Sequence, residues 1–209
     1  MSGSVLSVNV AEIREIPRGG EMVRTGIWKV PVAGRVAVRG VNVEGDEQAD
    51  RSVHGGPDKA LYAYAREDTD WWERELRRDL PHGVFGENLT LHGVDVTGAL
   101  IGERWRIGSV LLEVSEPRFP CWKLGARFGD PRMLKRFAAA RRPGAYLRIA
   151  EEGELAAGDA VKIVERPGHD LTIGAFAHAF LEDRDSLPRL LEVPAVSEMW
   201  QDWVRERAA

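Results

Sequence analysis

Only one cysteine, Cys121, occurs among the 209 residues. That excludes an intrachain disulfide and any iron–sulfur cluster held by four cysteines of this chain. The five histidines (54, 82, 92, 169 and 178) are scattered, and no CxxC, HExxH or paired-histidine spacing marks a zinc site. Also missing are a GxSxG nucleophile turn, a GxxxxGK(S/T) phosphate loop and a GxGxxG dinucleotide fingerprint. No apolar run approaches the ~20 residues of a membrane span. The opening "MSGSVLSVNV" has neither the basic start nor the long apolar stretch of a secretory signal. A cytoplasmic protein with no membrane partner is the expectation. Excess basic charge is absent too: a net charge of −4 argues against a nucleic-acid partner.

What is there suffices for a folded domain, with 44% hydrophobic and 30% charged residues. The first two-thirds read mostly as strands. "SVLSVNV" (4–10) alternates apolar and small polar residues, and "GRVAVRGVNVEG" (34–45) repeats this with a break at Gly40. "KALYAYA" (59–65) and "ENLTL" (87–91) follow, then a hairpin over 103–114 turning at Gly108-Ser109, then two strands within 144–165. Two helices interrupt them. One spans 66–83, with Asp68 as N-cap, Asp70–Arg74 and Glu73–Arg77 pairs, and Pro81 and Gly83 as the stop. The other spans 129–144, with Asp130 as cap and Pro131 in the first helical position.

Past "ERPGHD" (165–170) the texture changes to three short helical segments, started by Thr172, by Asp183 or Asp185, and by Ser197. The reading is a mainly β, α+β chain: a strand-rich barrel or sandwich over residues 1–166 and a three-helix appendage over 167–209. The appendage's Met199, Trp200 and Trp203 form an apolar face suited to intramolecular packing.

Three stretches carry candidate chemistry. "GDEQADRSVHGGPDKALYAY" (45–64) crowds an acidic cluster, His54, Gly55, Gly56, Asp58 and Lys59 into a turn whose glycines let backbone N–H groups approach a ligand. "GVFGENLTLHG" (83–93) sets Glu87 and Asn88 beside Gly86; an amide there either meets a polar ring edge or satisfies its own loop. In "EPRFPCWKLG" (116–125), Arg118 and Lys123 favour a Cys121 thiolate, and Pro117 and Pro120 stiffen what reads as a loop. A buried structural thiol and a functional thiolate both remain open on these residues alone.

Taken in order, these stretches together with "IGERWRIGSVLLEVSEPRFPCWKL" and "GAYLRIAEEGELAAGDAVKIVE" resemble the MOSC domain, named for the C-terminal domain of molybdenum cofactor sulfurase. The tail from His169 resembles the three-α appendage of bacterial stand-alone members. The resemblance implies a β-barrel and a molybdenum–pyranopterin cofactor whose metal takes pterin dithiolene sulfurs and one protein thiolate, at the position of Cys121. A soft thiolate suits such a metal, and one is enough when the pterin brings the others.

It further implies a detoxifying reductase of N-hydroxylated bases such as 6-hydroxylaminopurine, supplied with electrons by a separate donor protein. Cys121, Arg118 and His54 would be catalytic. Gly55, Gly56, Asp58, Lys59, Asn88, Arg118 and Lys123 would bind the cofactor. A persulfide carrier on Cys121 and a non-catalytic cofactor-binding protein are the competing readings. The tail would dock the donor, form a homodimer or cover the barrel.

Overall fold

The computed structural model describes residues 3–50 and 55–208. Thirteen strands are described: β1 (Gly3–Val10), β2 (Arg14–Arg18), β3 (Glu21–Thr25), β4 (Val30–Val32), β5 (Arg35–Arg39), β6 (Asn42–Val43), β7 (Leu61–Ala65), β8 (Leu89–His92), β9 (Arg104–Ile107), β10 (Val110–Pro117), β11 (Ala145–Glu151), β12 (Gly153–Ala156) and β13 (Ala160–Glu165). Seven of them close a barrel in the order β13-β9-β10-β11-β7-β8-β1, with β1 pairing back onto β13. Its pairs are antiparallel except β7–β8, whose parallel register needs a crossover. Helix α1 (Arg66–Leu76) lies within that crossover.

β7 shows why the site forms where it does. All five residues of "LYAYA" are buried. Leu61 and Ala63 face the barrel core with Leu89, Trp105, Leu112 and Leu147. Tyr62 and Tyr64 point outward into a second cluster with Trp72, Phe85, Leu124, Phe128, Met133 and Phe137. Side chains alternate across a strand, so this one can serve two cores. Helices α1, α2 (Trp122–Phe128) and α3 (Met133–Ala140) roof the outer cluster.

Several details differ from the sequence reading. Residues 144–165 form three strands, β12 leaving the barrel to pair with β5. Asp68 does not cap α1: it is buried inside the helix and ion-paired with Arg142. Asp70 and Glu73 both turn back to Arg66 rather than on to Arg74 and Arg77. The helix stops at Leu76, before Pro81, because Arg77 adopts the left-handed conformation with φ 52°. A side chain there is strained where glycine is not. Arg77→Gly is therefore expected to raise stability by up to about 1 kcal/mol in urea unfolding; an unchanged midpoint would contradict this. α3 starts at Met133, and Pro131 lies in the turn before it, where the Asp130 carboxylate accepts the Arg132 N–H at 3.0 Å.

In the tail, Thr172 caps α4 (Ile173–Leu181), accepting the Ala175 N–H at 3.0 Å. The middle segment, Arg184–Glu192, is 3-10 helix rather than α, with Pro188 inside it removing an amide donor. α5 (Glu198–Ala208) starts after Ser197, whose hydroxyl makes no hydrogen bond. Ile173, Phe176 and Trp200 of the tail belong to the same apolar cluster as the barrel interior. Met199 stays exposed. Among the described residues, no helix is long and apolar enough to cross a membrane.

Candidate functional site

A cleft of about 650 Å³, counting its open mouth, lies between the end of β3, the 46–50 segment, the start of β7, the Phe85–Asn88 loop and the Arg118–Lys123 stretch. Gly86 lets two of these walls meet: its φ is 81°, and a Cβ there would come 2.9 Å from Ile27. Cys121, Arg118, Lys123, Lys59 and Lys29 line the cleft, with Tyr62 and Tyr146 between them.

Arg118 is 6% exposed and its Nη1 has no hydrogen-bond partner among the described residues. Its guanidinium lies over the Tyr62 and Phe137 rings, at 5.3 and 5.4 Å from their centroids. Burial opposes its charge, but the Tyr62 and Tyr146 oxygens and Cys121 around it outweigh that, and its pKa is raised. Burial also pushes Tyr146 up to about 12, so it stays protonated at neutral pH. A buried cation with an unsatisfied donor costs stability and calls for an anionic or polar partner.

Lys29 and Asp46 form a buried ion pair in the same cleft. Asp46 also accepts the Ala11 N–H at 2.8 Å and the Asn88 amide at 2.9 Å. Burial lowers the Lys29 pKa against the raising influence of Asp46. Lys59 pairs with buried Glu116 at 3.2 Å, and Glu116 accepts the Trp200 indole N–H at 3.0 Å. The tail thus orients a lysine of the cleft through one carboxylate.

Residues 50–162 match the family model described as "MOSC domain". The chain is 35% identical to the uncharacterized protein YflK of Bacillus subtilis over 202 residues, covering 95% of this chain and 91% of that one. It belongs to the MOSC-domain family. The crystal structure of YiiM from Geobacillus stearothermophilus has the same fold, with a TM-score of 0.82, 30% identity, and coverage of 99% of this chain and 100% of that one. A protein named "Reductase" from Gibberella moniliformis is 37% identical over 169 residues, which span 79% of this chain and 30% of that protein.

In this MOSC protein, the structure brings Cys121, Arg118, Lys123, Lys59 and Asn88 to one cleft. His54 lies outside the described residues. Asp58 is not with them: its carboxylate pairs with Arg148 at a separate surface hollow bounded by Pro194 and Ser197. Lys59 and Asp58 are successive residues of a 3-10 turn, so their side chains diverge.

Gly56 does not offer its N–H to the cleft either, since it donates to Gln48 Oε1 at 3.1 Å. Gly55 is small because that same side chain crosses it; a Cβ would meet Gln48 Oε1 at 2.4 Å. Asn88 spends both amide hydrogens on Asn9 O and Asp46 and accepts the Tyr62 N–H, so it positions Asp46 rather than reaching a ligand. Glu87 is a buried tie within its loop, accepting the Gly83 and Phe85 N–H groups and the Thr90 hydroxyl. Cys121 sits not in a loop but at the N-cap of α2, with φ −121° and ψ 169°.

Proposed function

We propose that this protein is a molybdenum-cofactor-dependent reductase of N-hydroxylated bases, with Cys121 as the protein ligand of the metal. The observation that carries the reading is the buried Arg118, with its unsatisfied Nη1, lining the same cleft as Cys121, Lys123, Lys59 and Lys29. One soft sulfur amid four cationic side chains fits a ligand that joins a sulfur-bound metal to an anionic phosphate. Family membership and a relative named as a reductase support the same class.

When bound, such a cofactor supplies the two electrons that cleave an N–O bond. The chain's own residues hold and orient. Cys121 offers its sulfur at the start of α2. Arg118 and Lys123, both buried, offer donors that need no reorganisation. Lys59 is aimed by Glu116, and Lys29 by Asp46. Reduction of R–NHOH to R–NH2 and water consumes two protons with the two electrons. Lys29, whose ammonium burial makes more acidic, is the cleft group suited to release one.

The test is direct. Protein from molybdate-fed cells is expected to contain molybdenum and pterin near one per chain, and to reduce a hydroxylamino base with a reduced viologen as donor. Stoichiometric metal without turnover would replace this reading by a binding role. Sulfur on Cys121 without metal would replace it by a persulfide carrier.

A further inference from the structure

Twelve arginines among the described residues are tied to carboxylates, and of those that are not, four lie together around α2. Arg14 and Arg18 of β2, Arg78 just past α1, and Arg127 of α2 make no ion pair among the described residues. They nonetheless lie together. Arg18 stacks over Trp122 at 4.6 Å and Arg78 over Phe128 at 5.3 Å, the two ends of α2. Arg127 stacks over Trp28 at 5.9 Å, and its Nε has no hydrogen-bond partner among the described residues. Burial lowers its pKa, Glu87 opposes that, and the charges of Arg14 and Arg78 lower it further.

Because side chains alternate along a strand, Arg14 and Arg18 share the face of the β2–β3 ribbon that turns to α2, and Glu15 lies on the other. Glu21 opposite Arg18 and Asp79 beside Arg78 are the carboxylates at the margin. A concentrated positive face on a chain of net charge −4 is held there against mutual repulsion. Its position matters: α2 begins at Cys121, and the segment leaving β3 supplies Gly26, Ile27 and Lys29 to the cleft.

We infer that this arginine face is the docking surface for an acidic electron-carrier protein of the flavodoxin or ferredoxin class. The inference rests on the reductase reading, since N–O reduction needs electrons from outside a chain with one cysteine and no dinucleotide fingerprint. Guanidinium groups already laid on aromatic rings lose little freedom when a carboxylate arrives, which favours fast, salt-sensitive association. Each encounter delivers electrons beside the helix that carries the thiol.

The experiment uses oxidised flavodoxin as the probe, with binding followed by interferometry and by hydrogen exchange at low and high salt. Expected are protection over residues 14–25 and 122–128, loss of binding at high salt, and affinity at least about tenfold weaker for the triple variant Arg14→Glu, Arg18→Glu, Arg78→Glu. Arg184→Glu, on the exposed tail, should bind like the parent. No binding to the parent, protection elsewhere, or indifference to the triple change overturns the inference. So does tighter binding of a single-stranded oligonucleotide with the same mutational loss, which would assign the face to nucleic acid. Viologen-driven base reduction separates the two proposals. If it works while flavodoxin ignores the variant, docking fails alone; if it is absent while the variant loses flavodoxin, the reductase reading fails alone.

Discussion

Cys121→Ser is expected to lower molybdenum retention and base reduction by more than about a hundredfold, because a ligand should matter more than the residues that support one. Its melting temperature should stay within about 2 °C of the parent, because serine is a preferred N-cap. Cys121 occupies that position with no side-chain cap bond of its own, and it is only partly buried. A hydroxyl can accept an N–H at the start of α2, so the variant could even gain slightly. Metal analysis, turnover with a viologen donor and a thermal melt make the comparison. A large drop in melting temperature with full activity per folded molecule would return Cys121 to a packing role.

Asp46→Ala should be the most destabilising single change in the cleft, costing about 3–5 kcal/mol, on the order of 10 °C in melting temperature. It strands the buried Lys29 ammonium, the Ala11 N–H and the Asn88 amide at once. The pH dependence has a definite sign. Lys29 already has a lowered folded pKa, and losing Asp46 removes what raises it. Folding the variant therefore releases a proton that the unfolded chain holds up to about pH 10. The deficit should be greatest near neutrality and shrink as the pH climbs toward that value. Asp46→Asn with Lys29→Met, which removes both charges, should recover most of the loss. A deficit independent of pH, or one the double change fails to repair, would show that the ion pair is not what carries it.

The barrel could be read from the chain because its signals are local. Alternation in 4–10 and the Gly108-Ser109 turn both report on a few neighbours, and Gly108 takes the positive φ of 56° such a turn requires. The ribbon of β2 and β3 carried no such signal. It is a largely exposed pair with one half-buried apolar side chain per strand, Ile16 and Val23, so no period stands out. α2 was hidden by Pro117 and Pro120, although Leu124 and Phe128 at helical spacing and Gly129 as a left-handed stop were all present.

The site divides the same way. Cys121 and Arg118 announce themselves by proximity in sequence. Lys29 and Asp46 are brought together by tertiary structure across 17 positions, and no spacing rule links them. Asp58 shows the opposite failure, since adjacency to Lys59 in sequence became divergence in a tight turn.

Three contacts tie the appended tail to the thermal behaviour of the site. Trp200 of α5 grips Glu116 through its indole and packs on Phe119 at 5.5 Å, while Phe180 of α4 meets Phe119 at 4.4 Å. Those two residues flank Arg118, three positions before the thiol. Terminal helices open more readily than closed barrels. Fraying of α5 is therefore expected to loosen the cleft first, and a barrel that is still fully closed can already have lost the alignment of its one thiol.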